Sequence, residues 1–260
     1  MKFAVCMGIN DYSWLSPAAS LRGCVADARE WAAVLLDCYG FDCVHLLLNG
    51  AATAQGFRGC LSRIAEQAVA GDTVAVTYSG HGTRVPDLDG DEPDGYDEAI
   101  VLTGGPYTDD ALSGDLKIFN RDIRVVVVAD SCHSGTVTRS LASPALPHPP
   151  LPRYADLARP APDAPRPARL HHRFGAPRGT DADASRVLLA GCKAEETSAD
   201  AWLAGAYHGA LTFHAVRLLR ERPRTTWREF AKHLRPCVRR TSAQTPQVEG
   251  APGALDGVVF

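Results

Sequence analysis

Nowhere in the 260 residues is there an uninterrupted apolar run approaching the roughly 18 residues of a membrane-spanning helix. A secretory leader is not expected either. The apolar start Phe3 to Ile9 runs at once into Asn10 and Asp11, with no small-residue cleavage pattern behind it. The eight cysteines (Cys6, Cys24, Cys38, Cys43, Cys60, Cys132, Cys192 and Cys237) contain no C-x-x-C pair and no His spacing suited to zinc. A disulfide framework is therefore not expected, and most of these thiols should be small core residues kept reduced in a cytosol. Charge of one sign is not in excess: the net value of −3 neither requires nor excludes a charged partner. Internal repeats are lacking too. These absences predict a soluble cytoplasmic protein, and the length favours one domain with one sizeable core.

What is present is an alternation of strand and helix patterns. Phe3 to Ile9 and Cys43 to Leu48 read as short buried strands. Between them Val25, Ala28, Ala32, Leu35, Leu36 and Tyr39 recur at helical spacing, with Gly40 as the stop. Thr53 is placed to cap a second helix with Phe57, Leu61, Ile64 and Ala68 on its apolar face, ended by Gly71 and followed by a strand from Thr73 to Tyr78. Glu98 to Thr103 and Arg124 to Ala129 are further strands, the latter with four consecutive valines that suit burial on both faces. Arg186 to Ala190 is another, and two helices follow, marked by Leu211, Ala215, Leu218 and Leu219 and by Trp227, Phe230, Ala231 and Leu234. Such an order predicts an α/β fold whose mainly parallel sheet carries helices on its faces.

In open sheets of this kind the chemistry collects beyond the carboxyl ends of the strands. The strand from Thr73 ends in Tyr78-Ser79-Gly80-His81-Gly82-Thr83, and the valine strand ends in Asp130-Ser131-Cys132-His133-Ser134-Gly135. Were these strands neighbours, the His81 imidazole would reach the Cys132 thiol as its general base. The glycines would admit a substrate backbone, and the amides of Gly82 and Cys132 are candidates to hold a developing oxyanion. Taken singly, each residue has an ordinary structural reading as a core thiol, a loop histidine or a turn glycine. It is their combination that suggests a cysteine-nucleophile enzyme.

The pair YSGHG and DSCHSG, with His81 and Cys132 51 positions apart, resembles the peptidase core of the metacaspases, relatives of the caspases. The animal caspase signature Q-A-C-x-G is absent. Leu21 to Ala28 (LRGCVADA) is similar to the metacaspase segment that lines the pocket for the residue before the cut, and Glu196 to Asp200, Tyr207 to Thr212 and Gln244 to Gln247 are similar to the family's small-subunit half. The resemblance implies a caspase-like, six-stranded, mainly parallel sheet between helices. It also implies a Cys132–His81 dyad and a pocket made by Asp27, Asp130, Cys24 and Ser79. Two carboxylates in that pocket should accept Arg or Lys and repel Asp. The expected activity is cysteine endopeptidase cleavage of protein or peptide substrates after Arg or Lys, by a monomer with no cofactor required for the chemistry and no membrane partner. The alternatives are a catalytically silent caspase-like scaffold and an Asp-specific peptidase.

Two segments stand apart. Asp87 to Glu98 is strongly acidic but fails as an EF-hand, since Glu92 and Pro93 occupy loop positions six and seven. The family resemblance instead implies calcium as an activator, with Asp97, Asp109 and Asp110 as ligands; a further family aspartate is replaced here by Arg139, which should weaken a hard dication's site. From Arg139 to Arg178 the chain holds ten prolines, seven arginines and two acids. This divides the sequence into a large-subunit-like region (1–138), a Pro/Arg-rich linker or insertion expected to be mobile (139–183) and a small-subunit-like region (184–260). Processing between the two halves after a basic residue is a family habit, so self-cleavage of a zymogen within 139–178 is expected, with a plain solvated spacer as the alternative. Nucleic-acid binding by the arginines is not, because interleaved aromatics are missing.

Overall fold

The computed structural model describes residues 1–87, 95–133, 147–157, 185–193, 196 and 198–260. In chain order its elements are β1 (Lys2–Gly8), α1 (Cys24–Tyr39), β2 (Cys43–Leu48), α2 (Ala54–Ala65), β3 (Thr73–Ser79), β4 (Gly82–Pro86), β5 (Tyr96–Leu102), β6 (Gly105–Thr108) and α3 (Asp109–Leu116). Then come β7 (Arg124–Asp130), β8 (Leu151–Pro152), β9 (Arg186–Ala190), β10 (Ala199–Leu203), β11 (Ala206–Gly209), α4 (Ala210–Glu221), α5 (Trp227–Arg239), β12 (Gln247–Gly250) and α6 (Pro252–Asp256).

Six strands make the central sheet in the order β12-β9-β7-β3-β1-β2, parallel throughout except for β12. Side chains alternate across it as strand geometry demands. Phe3, Val5 and Met7 of β1 and Val125 and Val127 of β7 face α2 and α3, where Phe57, Leu61, Ile64, Leu112 and Leu116 are buried. Ala4, Cys6, Val126 and Val128 face the opposite layer, where α1, α4 and α5 contribute Trp31, Leu35, Leu211, Leu219, Trp227 and Phe230. The valine run is apolar at every position because both of its faces are covered. The expected caspase-like α/β architecture is the one observed.

Two expected elements differ in detail. The strand around Glu98 is β5 and belongs to a separate antiparallel sheet with β4 and β6, because the chain doubles back immediately after His81. The second helix ends at Ala65 rather than running toward Gly71, which lies in the turn before β3. A third small sheet, β11-β10-β8, takes in two residues of the Pro/Arg-rich segment. All helices of the described residues are too short or too polar to cross a membrane.

The register puts the ends of β1, β3 and β7 level: Gly8 pairs with Ser79, and Ser79 with Asp130. At Gly8 the sheet meets the first turn of α1 so closely that an added Cβ would collide with the Cys24 carbonyl. That approach holds Cys24 and Asp27 over the strand ends. Gly8→Ala is therefore expected to lower stability by about 1–3 kcal/mol, as overpacking of a dense interior does, measured as a reduced midpoint in chemical denaturation.

Candidate active site

Beyond the level strand ends, β3 delivers His81 and Gly82 while β7 delivers Ser131 and Cys132. Gly82 starts β4 against the other loop, and a Cβ there would strike the Cys132 carbonyl, so only glycine permits this approach of the two backbones. Tyr12, from the loop after β1, accepts no solvent: its hydroxyl is bonded to that of Tyr78 at 3.0 Å and accepts from the His81 amide at 2.9 Å. Its ring also lies 4.5 Å from the imidazole, centroid to centroid. Tyr78, on β3, donates to the His81 carbonyl at 2.7 Å, so the His81 main chain and ring are fixed by one tyrosine from a loop and one from a strand.

His81 Nε2 lies 2.6 Å from the Ala19 carbonyl. A carbonyl only accepts, so Nε2 carries the hydrogen and Nδ1 is left with the basic lone pair; Nδ1 is buried and has no hydrogen-bond partner. Burial pushes the His81 pKa down to about 4, with the nearby Ala19 and Arg153 carbonyls pulling the other way but less. The imidazole is neutral at pH 7. Cys132 is wholly buried, and its thiol donates to the Glu196 carbonyl at 2.9 Å. Cys192 Sγ donates to that same carbonyl at 3.4 Å, which places a second thiol beside the first.

The residue that organises the site is Arg153, from the Pro/Arg-rich segment, at 0% exposure. Its carbonyl oxygen accepts from Gly82 N–H at 2.9 Å and from Cys132 N–H at 3.2 Å. Its own amide donates to the Ser198 carbonyl at 3.0 Å, and two residues on, the Ala155 amide donates to the Gly82 carbonyl at 2.9 Å. Pro152 and Leu151 pair with Ala199 and Asp200 in antiparallel register. The segment therefore lies as an added strand across the groove, the way peptides commonly bind sheet edges.

From this backbone the guanidinium enters a dry pocket. Nη2 meets Asp27 Oδ2 at 2.6 Å and Asp200 Oδ1 at 2.9 Å; Nη1 lies 3.4 Å from Asp130 Oδ2 and donates to Ser79 Oγ at 2.6 Å. Ser79 in turn donates to Asp27 at 2.7 Å, and Cys24 is buried in the same wall. Burial acts to raise the Asp27 pKa, but Arg153, with hydrogen bonds from His208 and Ser79, outweighs it and holds the carboxyl below its usual range. For Asp130 burial prevails over Arg153, Ser198 and Thr212, and its pKa is raised. Three acids thus surround the one guanidinium, with His208 Nδ1 also 3.6 Å from Asp27 Oδ1, a setting that favours a cationic occupant.

Among the sequence candidates, the structure brings Cys132, His81, Gly82, Asp27, Asp130, Cys24 and Ser79 around Arg153. Asp97 lies on β5, and Asp109 and Asp110 open α3 directly after β6, the ladder partner of β5, where acids complement the helix dipole. Among the described residues no three acids, histidines or cysteines are grouped to hold a metal; the acidic stretch 88–94 and Arg139 lie outside the described residues. Sequence reasoning did not single out Asp200 or Arg153. Asp200 does more than face the guanidinium, since it also accepts from the Arg22 and Gly23 amides that lead into α1. The signal for it was its place in Glu196 to Asp200, a run already similar to the family's small-subunit half.

Comparison with known proteins bears on the family and the fold. Residues 2–140 match the model of the metacaspase, peptidase C14 domain. The chain is 36% identical to Metacaspase-6 of Arabidopsis thaliana over 143 residues, covering 52% of this chain and 38% of that protein. To Metacaspase-1B of Aspergillus oryzae it is 27% identical over 285 residues, covering 94% of this chain and 66% of that protein. It thus spans from about two fifths to two thirds of these curated relatives. Among solved structures, protein GSU0716 from Geobacter sulfurreducens superposes over 100% of this chain and 98% of that one, with a TM-score of 0.69 and 26% identity. Caspase-1 from Spodoptera frugiperda shares the fold at a TM-score of 0.51 and 12% identity, over 96% of this chain and 85% of that one. With the family model covering more than half of its residues, the chain belongs to the metacaspases.

Proposed function

We propose that the protein is a cysteine endopeptidase cutting after Arg or Lys through Cys132 and His81, and that its first substrate is its own Arg153–Tyr154 bond. One observation carries this reading: a single arginine has its carbonyl oxygen on the Gly82 and Cys132 amides while its guanidinium sits among Asp27, Asp130 and Asp200. A side chain kept only as an internal ion pair would have no need to present its peptide carbonyl to two converging N–H donors next to a thiol.

The chemistry follows from the groups present. Cys132 Sγ leaves the Glu196 carbonyl, gives its proton to His81 Nδ1 and bonds to the Arg153 carbonyl carbon. The electron pair displaced onto oxygen is held by the Gly82 and Cys132 N–H groups. Collapse of this tetrahedral species breaks the bond to the Tyr154 nitrogen, which takes the proton from His81 and departs as an amine. Water then attacks the thioester, releasing the Arg153 carboxylate and restoring the thiol. No step requires a metal. After the new carboxyl end withdraws, the pocket presents three acids to the next basic side chain, which is the basis for Arg or Lys selection in other proteins.

Incubated wild-type protein should yield fragments 1–153 and 154–260 by mass spectrometry, while Cys132→Ala stays whole. Arg153→Lys, which preserves the charge, should be cut more slowly. A chain that stays intact, or is cut only elsewhere, would overturn the Arg153 assignment and leave that residue a fixed ion-pair partner. With fluorogenic peptides ending in Arg, Lys or Asp, turnover is expected for the first two. Asp27→Asn should lower kcat/KM for the arginine peptide by about two orders of magnitude or more, as loss of one partner of a buried pair implies; cleavage after Asp alone would defeat the specificity claim.

A third expectation concerns pH. Unfolded His81 takes up a proton near its ordinary value of 6.5, whereas the folded residue resists until about 4. Between those values the unfolded chain binds more protons, so stability falls as pH drops through the window, by about 1.4 kcal/mol per pH unit for this imidazole. Denaturant midpoints of Cys132→Ala measured from pH 7 to 4 should show this slope, and adding His81→Gln should remove that part of it.

A further inference from the structure

The segment that ends in Arg153 is held at a second place. Five residues before the arginine, the His148 ring lies flat on the Trp202 indole, with centroids 3.8 Å apart and planes 11° from parallel. Tyr207 closes the corner edge-on to both rings, at 6.3 Å and 84° to His148 and 5.2 Å and 77° to Trp202. Its hydroxyl donates to the Pro149 carbonyl at 3.3 Å. Trp202 and Tyr207 face each other directly across the β10–β11 ladder, a pairing that fixes the angle between their rings. Tyr207 is buried and carries the Arg22 guanidinium 5.1 Å from its ring centroid. Trp202 is 41% exposed, so the core does not account for it. Asp200 and Trp202 are two residues apart on β10 and share one face of the strand. The acid of the arginine pocket and the ring platform are thus built on one short rigid element.

The intervening sequence suits such a ruler. Pro149, Pro150 and Pro152 keep it extended, at about 3.1 Å per residue in the polyproline conformation, and a pre-stiffened peptide loses little entropy on docking. We propose that the Trp202–Tyr207 corner is an extended substrate subsite, taking a flat ring (His, Phe, Tyr or Trp) five residues before the scissile arginine of an extended, proline-containing segment. This rests on the reading of Arg153 as the cleaved residue. The substrate class it defines is protein segments of the form ring-x-x-x-x-Arg, of which 148–153 is the copy held by the chain itself.

The test uses the wild-type protein after self-processing and three peptides: His-Pro-Pro-Leu-Pro-Arg-Tyr-Ala, the same with Ala in place of His, and the same with Phe. Ala is expected to raise KM about three- to ten-fold with kcat little changed, the size of one aromatic stacking pair; Phe should match His. A Trp202→Ala enzyme should handle all three alike, and Trp202→Phe should restore part of the preference. If the His peptide is not cut after Arg, the Arg153 reading itself fails and the subsite with it. If all three peptides are cut by the wild type with equal KM, or if Trp202→Ala keeps the preference for a ring, the subsite alone is overturned.

Discussion

A guanidinium withdrawn from water among three carboxylates is costly on both sides, and the architecture around Arg153 is what makes it tolerable. Each acid is satisfied by more than the cation. Asp27 accepts from Ser79 and from the Gly209 amide, Asp130 from Ser198 and from both the amide and hydroxyl of Thr212, and Asp200 from two amides before α1. Desolvated ion groups are stable only when such additional bonds take up the remaining lone pairs. The pocket is consequently assembled from both halves of the sequence, with Asp27 and Asp130 from one and Asp200 from the other, and it exists only when the two halves are folded together.

The level register of β1, β3 and β7 brings the proposed reacting groups to the edge of that pocket. A parallel sheet presents successive strand ends side by side, so a loop leaving β3 and a loop leaving β7 meet without any long excursion. Gly82 lets them touch. Tyr12 and Tyr78 hold the histidine from below, and the Ala19 carbonyl sets its tautomer. None of these supporting groups reacts with a substrate, yet each restricts a degree of freedom that the chemistry needs fixed.

Much of this was legible in the residues. The strand and helix spacing yields the sheet because a strand covered on both faces must be apolar at every position, as Val125 to Val128 are. His81 and Cys132 stand out because reactive side chains follow immediately on buried strands, and the family resemblance supplied Asp27, Asp130, Cys24 and Ser79. The limits are equally physical. Glu98 to Leu102 has the pattern of a strand, but only the doubling back at Gly82 decides that it leaves the main sheet. Arg153 is one of seven arginines in a stretch whose composition speaks of solvent, and nothing in its neighbours announces burial. Its location is set by charge 126 positions away in Asp27, a distance over which local pattern is mute.

The placement of β9 and β12 has a consequence for how the molecule would behave once nicked. These strands come after the Pro/Arg-rich segment, yet β9 lies beside β7 inside the central sheet, with five paired positions, and α4 packs on α1. A break at residue 153 severs no strand of that sheet and touches its two hydrophobic layers only at the edge, where Leu151, Ala155 and Leu157 join the α2/α3 side. The pieces should therefore stay together as one particle of unchanged hydrodynamic size, a covalent event invisible to gel filtration and revealed only when the chains are forced apart.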